Sequence, residues 1–260
     1  MASILHGSGA MDAMAVTGAA RLGARAAWCT LIGILTSGPL ALLALQLWAA
    51  QPAWTDAESF AAHYHPAQSL PYLAGFLLVA GYVMLIASLH ALATPSERAT
   101  SAVGLAFCSA YAALVLCNYM LQTAYVPELA RHYEPANAPL IGMWSMVQPR
   151  SIAWGLELWG YGCLGIATWA VAPVLARHGA RGRSAAWTFR ANGVVSVASA
   201  LWTILQPGWA QTAPGIVAFV LWNILAFAMS WLALGTFRSL ERTQRRPSTS
   251  GVERAPAPIV

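Results

Sequence analysis

Apolar residues in this chain fall into long runs rather than one-sided stripes. Six stretches, Ala27–Ala49, Pro71–Ala93, Ala102–Tyr125, Ile152–Ala176, Thr188–Pro207 and Pro214–Phe237, are apolar almost all round. A helix needs about 20 such residues to cross the hydrocarbon of a bilayer, and each run reaches that length. The pattern predicts an all-α fold, a polytopic membrane protein built as a six-transmembrane-helix bundle over residues 27–240. Residues 1–26 are rich in Gly, Ala and Ser without a trusted periodicity, and 241–260 are basic and Pro-rich without an apolar face, so both are expected to be mobile. The first run is too long for a removable signal peptide and lacks a small-residue cleavage site after it, so it is expected to stay as a membrane helix.

Charge sets the expected orientation. All 14 basic residues are Arg, and loops on the cytoplasmic side of a membrane carry the excess of positive charge. With these spans 12 of them, including Arg21, Arg25, Arg98, Arg177, Arg181, Arg183, Arg190, Arg238 and Arg242, share one side, and only Arg131 and Arg150 lie on the other. Both termini are therefore expected in the cytoplasm, with the protein in the inner membrane. Only 9% of residues are charged, against about a quarter in soluble domains, while 58% are hydrophobic and the mean hydropathy is +0.57. That composition excludes a soluble domain and a disordered chain. The net charge of +5 comes from the cytoplasmic Arg clusters, which suit anionic headgroups of membrane lipids. No nucleic-acid motif occurs and no nucleic-acid partner is expected. Cys29, Cys108, Cys117 and Cys163 lie inside spans and form no CxxC pair, so neither a disulfide nor a redox relay is expected.

Polar side chains inside a span are expensive in lipid and turn toward the bundle interior, a cavity or one another. Glu157 is the only acidic residue within a run, about a turn and a half into the fourth helix, and it is the expected catalytic residue. On the third helix Tyr111, Asn118 and Gln122 share a face, and on the fourth Trp154, Glu157, Tyr161 and Thr168 do. The fifth helix carries Asn192, Ser196, Ser199, Thr203 and Gln206 at steps of four and three, and Asn223 and Ser230 form a similar pair on the sixth. The expected substrate-binding set is Trp154, Tyr161, Tyr111, Asn118, Gln122, Thr203, Gln206 and Asn223. A stripe of Ser, Thr and Asn is also how ordinary membrane helices pack, and that reading stands beside the functional one for the fifth helix. Tyr161, Asn118 and Arg150, the last two turns before Glu157, are the alternative structural partners for the carboxyl. In the first span, Gly38-Pro39 should kink the helix and open a pocket.

The outer loops carry His63, His65, His132, Asp56, Glu58 and Glu128. Imidazoles and carboxylates from two loops can complete a zinc set, but the spacing is indistinct and no metal is assigned. Glu58 and Glu128 are the candidates for a second acid. No Gly-rich phosphate loop, HExxH or nucleophile elbow is present, and no cofactor is expected. Trp48, Trp54, Trp144, Trp187 and Trp209, near span ends, fit an interfacial aromatic belt.

The run Trp154-Gly155-Leu156-Glu157-Leu158-Trp159-Gly160-Tyr161-Gly162, with Gly165 and Trp169 beyond it, resembles the fourth helix of a family of uncharacterised bacterial six-span integral membrane proteins. The resemblance covers that helix and the span layout, and it implies an architecture without a mechanism. By analogy of class, the chain is also similar in size and furnishing to small polytopic enzymes that cyclise or isomerise isoprenoids and sterols, although those use a pair of acids and only Glu157 is embedded here. The expected function is a membrane enzyme or binder for a lipophilic small molecule of isoprenoid, terpenoid or sterol type, with Glu157 as proton donor in an aromatic, outward-side cavity. The alternatives are a small proton-coupled transporter using Glu157, in which six spans would work as a homo-oligomer, and an accessory or structural subunit.

Overall fold

The computed structural model describes residues 2–245, with side chains from Met14 to Gln244. It is all-helical among the described residues. Helices α1 (Ala2–Ser37), α2 (Pro39–Trp48), α4 (Leu70–Ala91), α5 (Arg98–Met120), α8 (Ile152–Ala176), α9 (Gly179–Leu205) and α10 (Ala213–Arg245) form the bundle. Short helices α3 (Ala57–Ala62), α6 (Val126–Arg131) and α7 (Ala138–Trp144) cap its Arg-poor end. Helix α1 packs on α4, α4 on α5, α5 on α8, α8 on α9, α9 on α10 and α10 back on α1, which closes a ring. Tyr82, Leu85, Ile86, Tyr111, Leu164, Phe189, Met229 and Phe237 fill its interior.

Among the described residues, five helical segments, 14–48, 66–91, 98–131, 152–176 and 213–244, are long and apolar enough to cross a membrane. Helix α9 is the other long one. It contains the expected fifth run, but it extends back through Arg190, Arg183 and Arg181 to Gly179, so only 191–205 are free of charge. The boundary expected after residue 26 lies inside α1. Ala19, Ala20 and Ala26 are buried there, and Gly23 leaves room for the Phe237 ring, because an Ala- and Gly-rich helix can lie against a neighbour without needing a periodic apolar stripe. The expected tail likewise begins inside α10, and from 246 on it lies outside the described residues.

Small residues set how closely the helices approach. An added Cβ on Gly33 would lie 2.7 Å from the backbone of Leu78, and one on Gly81 would lie 2.8 Å from the amide of Thr30, so α1 and α4 meet backbone to backbone. Helices α8 and α9 turn back on each other at Gly179, whose φ of +72 needs a glycine. They then cross where Gly165 and Gly193 each face the other's carbonyl. Beside that crossing Asn192 donates to Thr168 Oγ1 at 3.1 Å and Ser196 to Asn192 Oδ1 at 3.4 Å. The inner part of the α9 polar stripe is therefore satisfied by helix packing.

The expected break at Gly38-Pro39 is present. Pro39 has no N–H for the carbonyl of Leu35, and Thr36 and Ser37 bond back to Ile32 and Gly33 carbonyls at 2.8 and 2.6 Å, which favours a bend there. A second irregularity interrupts the third run. The turn Leu121–Tyr125 is a π turn before α6, and Pro127, which would crowd the Thr123 carbonyl in a regular helix, accounts for it.

The Arg-rich end is clamped by Glu97, which meets Arg177 at 2.9 Å and accepts from the amide and hydroxyl of Thr94 at 3.0 and 2.8 Å. Burial pushes the Glu97 carboxyl up, but the Thr94 donors and the Arg177 guanidinium outweigh it and hold it below its ordinary value. A carboxyl lowered in the folded state stabilises fully above its unfolded value and loses that contribution as pH falls through the folded one. A half-exposed ion pair is worth about 1 kcal/mol or less. The melting temperature in detergent should thus fall between pH 7 and pH 3 by up to about 2–4 °C more for the parent than for Glu97→Gln; equal falls would mean that the clamp contributes nothing.

Candidate functional site

Helices α5 and α8 build the site around Glu157. Gly160 is what lets them approach: an added Cβ there would lie 2.5 Å from Val115 Cγ2. One turn further toward the Arg-poor end, that approach brings Asn118 Nδ2 to 2.9 Å from Glu157 Oε2. The Tyr119 hydroxyl donates to Glu157 Oε1 at 3.3 Å and lies 3.3 Å from the Tyr161 hydroxyl. Gly75 on α4 leaves the space that the Tyr119 ring occupies. Asn118 and Gln122 are buried, whereas Glu157, Trp154 and Tyr161 are half-buried. Among the described residues no ion pair reaches Glu157. Arg150 is exposed at the bundle end. The carboxyl is held by two neutral donors and no cation.

The segment after α7 closes over this pair, with Met146 at its centre. Met146 donates its amide to Gln122 Oε1 at 3.2 Å, its carbonyl accepts from Trp154 Nε1 at 2.8 Å and Gln211 Nε2 at 3.0 Å, and its sulfur accepts from Asn118 Nδ2 at 3.1 Å. Gln122 Nε2 adds bonds to the Trp144 carbonyl at 2.7 Å and to Asn118 Oδ1 at 3.2 Å. Above it a small apolar core of Ala57, Phe60, Val126, Ala130 and Ile141 seats the cap.

Aromatic rings border the other side. Tyr72 and Phe76 contact Tyr119 with centroids at 5.7 and 6.0 Å, and Tyr161 contacts Tyr111 at 5.4 Å and Trp222 edge-on at 4.6 Å. Tyr111 in turn meets Tyr82 at 6.2 Å. The result is a carboxyl at the boundary between a polar, capped layer and an aromatic one, with a hydroxyl-to-hydroxyl contact leading from it into the bundle.

The structure thus brings together Glu157, Asn118, Gln122, Trp154, Tyr161 and Tyr111 from the expected set. Three others are engaged elsewhere. Thr203 accepts from Trp209 Nε1 at 3.3 Å, Gln206 is exposed at the end of α9, and Asn223 bonds back to the Phe219 carbonyl at 2.9 Å and faces Gly38. Their helix faces are as the spacing implied, but each face meets a different neighbour. Both candidate second acids are exposed in the cap. Glu58 lies in the first turn of α3, and Glu128 pairs with Arg131 at 3.0 Å and His132 at 3.4 Å. His63 Nδ1 contacts the Ser59 carbonyl and His65 Nδ1 accepts the Ala67 amide, so these imidazoles serve the local backbone. Among the described residues no three His, Cys, Asp or Glu gather as metal ligands.

Sequence reasoning missed Tyr119, Met146, Tyr72 and Trp222. Tyr119 adjoins Asn118 in sequence and stands eight residues from Tyr111, a spacing that also shares a helix flank, so a signal existed. Met146 offered none, because it acts mainly through its backbone. Comparison with protein-family models, with curated proteins and with solved structures finds no match.

Proposed function

We propose that this chain is a membrane-embedded enzyme or binder acting on a lipophilic small molecule of isoprenoid or sterol type, with Glu157 as the proton donor. In this reading α9 is the sixth crossing, and both termini lie at the cytoplasmic, Arg-rich face. The supporting observation is the setting of Glu157, held by Asn118 and Tyr119 with no basic partner among the described residues, and with the Tyr161 hydroxyl 3.3 Å beyond that of Tyr119. A carboxyl paired to Arg would be committed to a structural role; one held by neutral donors can give up and regain a proton. In an isomerisation the Glu157 O–H bond breaks as a C–H bond forms on a substrate alkene. The carbocation is stabilised by ring faces, and the carboxylate recovers a proton when a neighbouring C–H bond breaks to restore the alkene. No net oxidation occurs and no co-reactant is required.

A second reading, a small proton-coupled carrier, is favoured by one observation, the contact from Glu157 through Tyr119 to Tyr161 that could pass a proton along hydroxyls. Glu157→Gln separates the two. Mass spectrometry of organic extracts from purified parent and variant should find the same co-purifying lipophilic molecule in both, with conversion of it lost in the variant by at least the 10²-fold of a missing general acid. In proteoliposomes a carrier would instead retain exchange and lose pH-driven uptake. A variant that matches the parent in every assay would remove Glu157 from the function.

A further inference from the structure

Helices α1 and α10 are tightly joined at the Arg-rich end and open toward the other. At the joined end Gly23 faces Phe237, Arg21 meets Glu241 at 3.4 Å, and the Arg238 guanidinium lies 5.5 Å from the Trp28 ring centroid. Around the Gly38-Pro39 break a groove of about 510 Å³ opens between the helices, lined by Leu35, Pro39, Leu42, Val220, Ile224 and Phe227 with Asn223 among them. The groove and the Arg belong to one seam. Trp28, Ile32, Leu35, Pro39 and Leu42 recur at steps of four, three, four and three on one side, and Arg238, Trp231, Phe227, Ile224 and Val220 recur at steps of seven, four, three and four on the other. All ten are exposed, and all but Arg238 are apolar. Arg25, one turn before Trp28, is exposed at the same end.

We propose that this seam is a binding site for one anionic phospholipid of the leaflet at the Arg-rich end, with its phosphate at Arg238 and Arg25 and an acyl chain laid along Trp28 and Trp231 into the Pro39 groove. The dimensions agree. Arg238 and Phe227 are eleven residues apart, about 16 Å along the helix, which is close to the ~15 Å depth of one leaflet's hydrocarbon. Charge complementarity selects an anionic headgroup, because two exposed guanidiniums stand at the head of an otherwise apolar seam. The groove lies where Pro39 breaks α1 from α2. This site is separate from Glu157.

Full-length protein exchanged into mixed micelles holding equal phosphatidylglycerol and phosphatidylcholine of matched chains tests the site, with native mass spectrometry counting retained lipid. The parent should keep one phosphatidylglycerol, and Arg238→Gln and Arg25→Gln should each lower its preference over phosphatidylcholine about fivefold, while Arg238→Lys keeps most of it. Ile224→Trp, which fills the groove without touching the Arg, should lower retention of both lipids and leave their ratio unchanged. Circular dichroism melting confirms that each variant is folded. Equal retention of the two lipids by the parent, an unchanged ratio in the double Gln variant, or full retention by Ile224→Trp overturns the proposal. So does a dimer that excludes lipid, or inorganic phosphate raising the melting temperature as much as phosphatidylglycerol does.

Discussion

Asn118→Leu should remove much of the stability of the α5–α8 contact. Asn118 donates to Glu157 and to Met146 Sδ and accepts from Gln122, so a Leu of similar volume leaves Glu157 Oε2 without its donor and one Gln122 bond unmade. An orphaned buried polar group costs about 1–3 kcal/mol, more when charged, which lowers the melting temperature by roughly 5 °C or more. The effect should depend on Glu157: in a Glu157→Leu background the added loss from Asn118→Leu should shrink by about 1 kcal/mol or more. Additive losses would mean that the two side chains do not act on each other. Under the proposed function, a co-purifying lipophilic molecule should be lost with Asn118→Leu, because the carboxyl loses the donor that positions it.

Gly160→Leu is expected to be still more damaging. The first added atom already meets Val115 Cγ2 at 2.5 Å, with Leu114 Cβ at 3.5 Å behind it. Val is stiff at χ1 and cannot turn aside, so α5 and α8 must move apart. Overpacking costs about 1–3 kcal/mol for a methylene or two, and a whole isobutyl group at a helix crossing should exceed that range. Because Gly160 stands three residues after Glu157 and Val115 three before Asn118, the same displacement breaks the Asn118–Glu157 bond. Melting of the variant, and of Gly160→Leu combined with Asn118→Leu, reads this directly: the Asn118 substitution should cost little once the helices are already apart. Gly155, whose added Cβ would meet nothing within 4 Å, is the control, and Gly155→Ala should melt close to the parent.

These two positions show how differently the parts of the site were legible. Glu157 stood out because charge is so scarce in the runs that one acid is conspicuous, and Asn118 and Gln122 because a four-residue step puts both on one flank. Gly160 lay in view as one glycine among 21, and nothing in its neighbours distinguishes it from Gly155. Only the position of α5 does. Thr203, Gln206 and Asn223 fail for the complementary reason. Periodicity reports which residues share a face, and says nothing of what that face meets.

What the sequence determined by itself is what depends on one segment at a time. Run length and hydropathy yield helices of membrane-crossing length, the lack of an N–H on Pro39 yields the break in the first of them, and a lone acid among apolar residues marks Glu157, because each follows from local desolvation and local hydrogen bonding. Tertiary structure alone decided which helices are neighbours in the ring, that Tyr119 rather than Arg150 joins Asn118 on the carboxyl, that the backbone of Met146 ties the cap to the site, and that a groove opens between α1 and α10 around the Gly38-Pro39 break. Those outcomes depend on how closely pairs of helices approach. Approach is set by the fit of two surfaces at once, a property that neither segment carries alone.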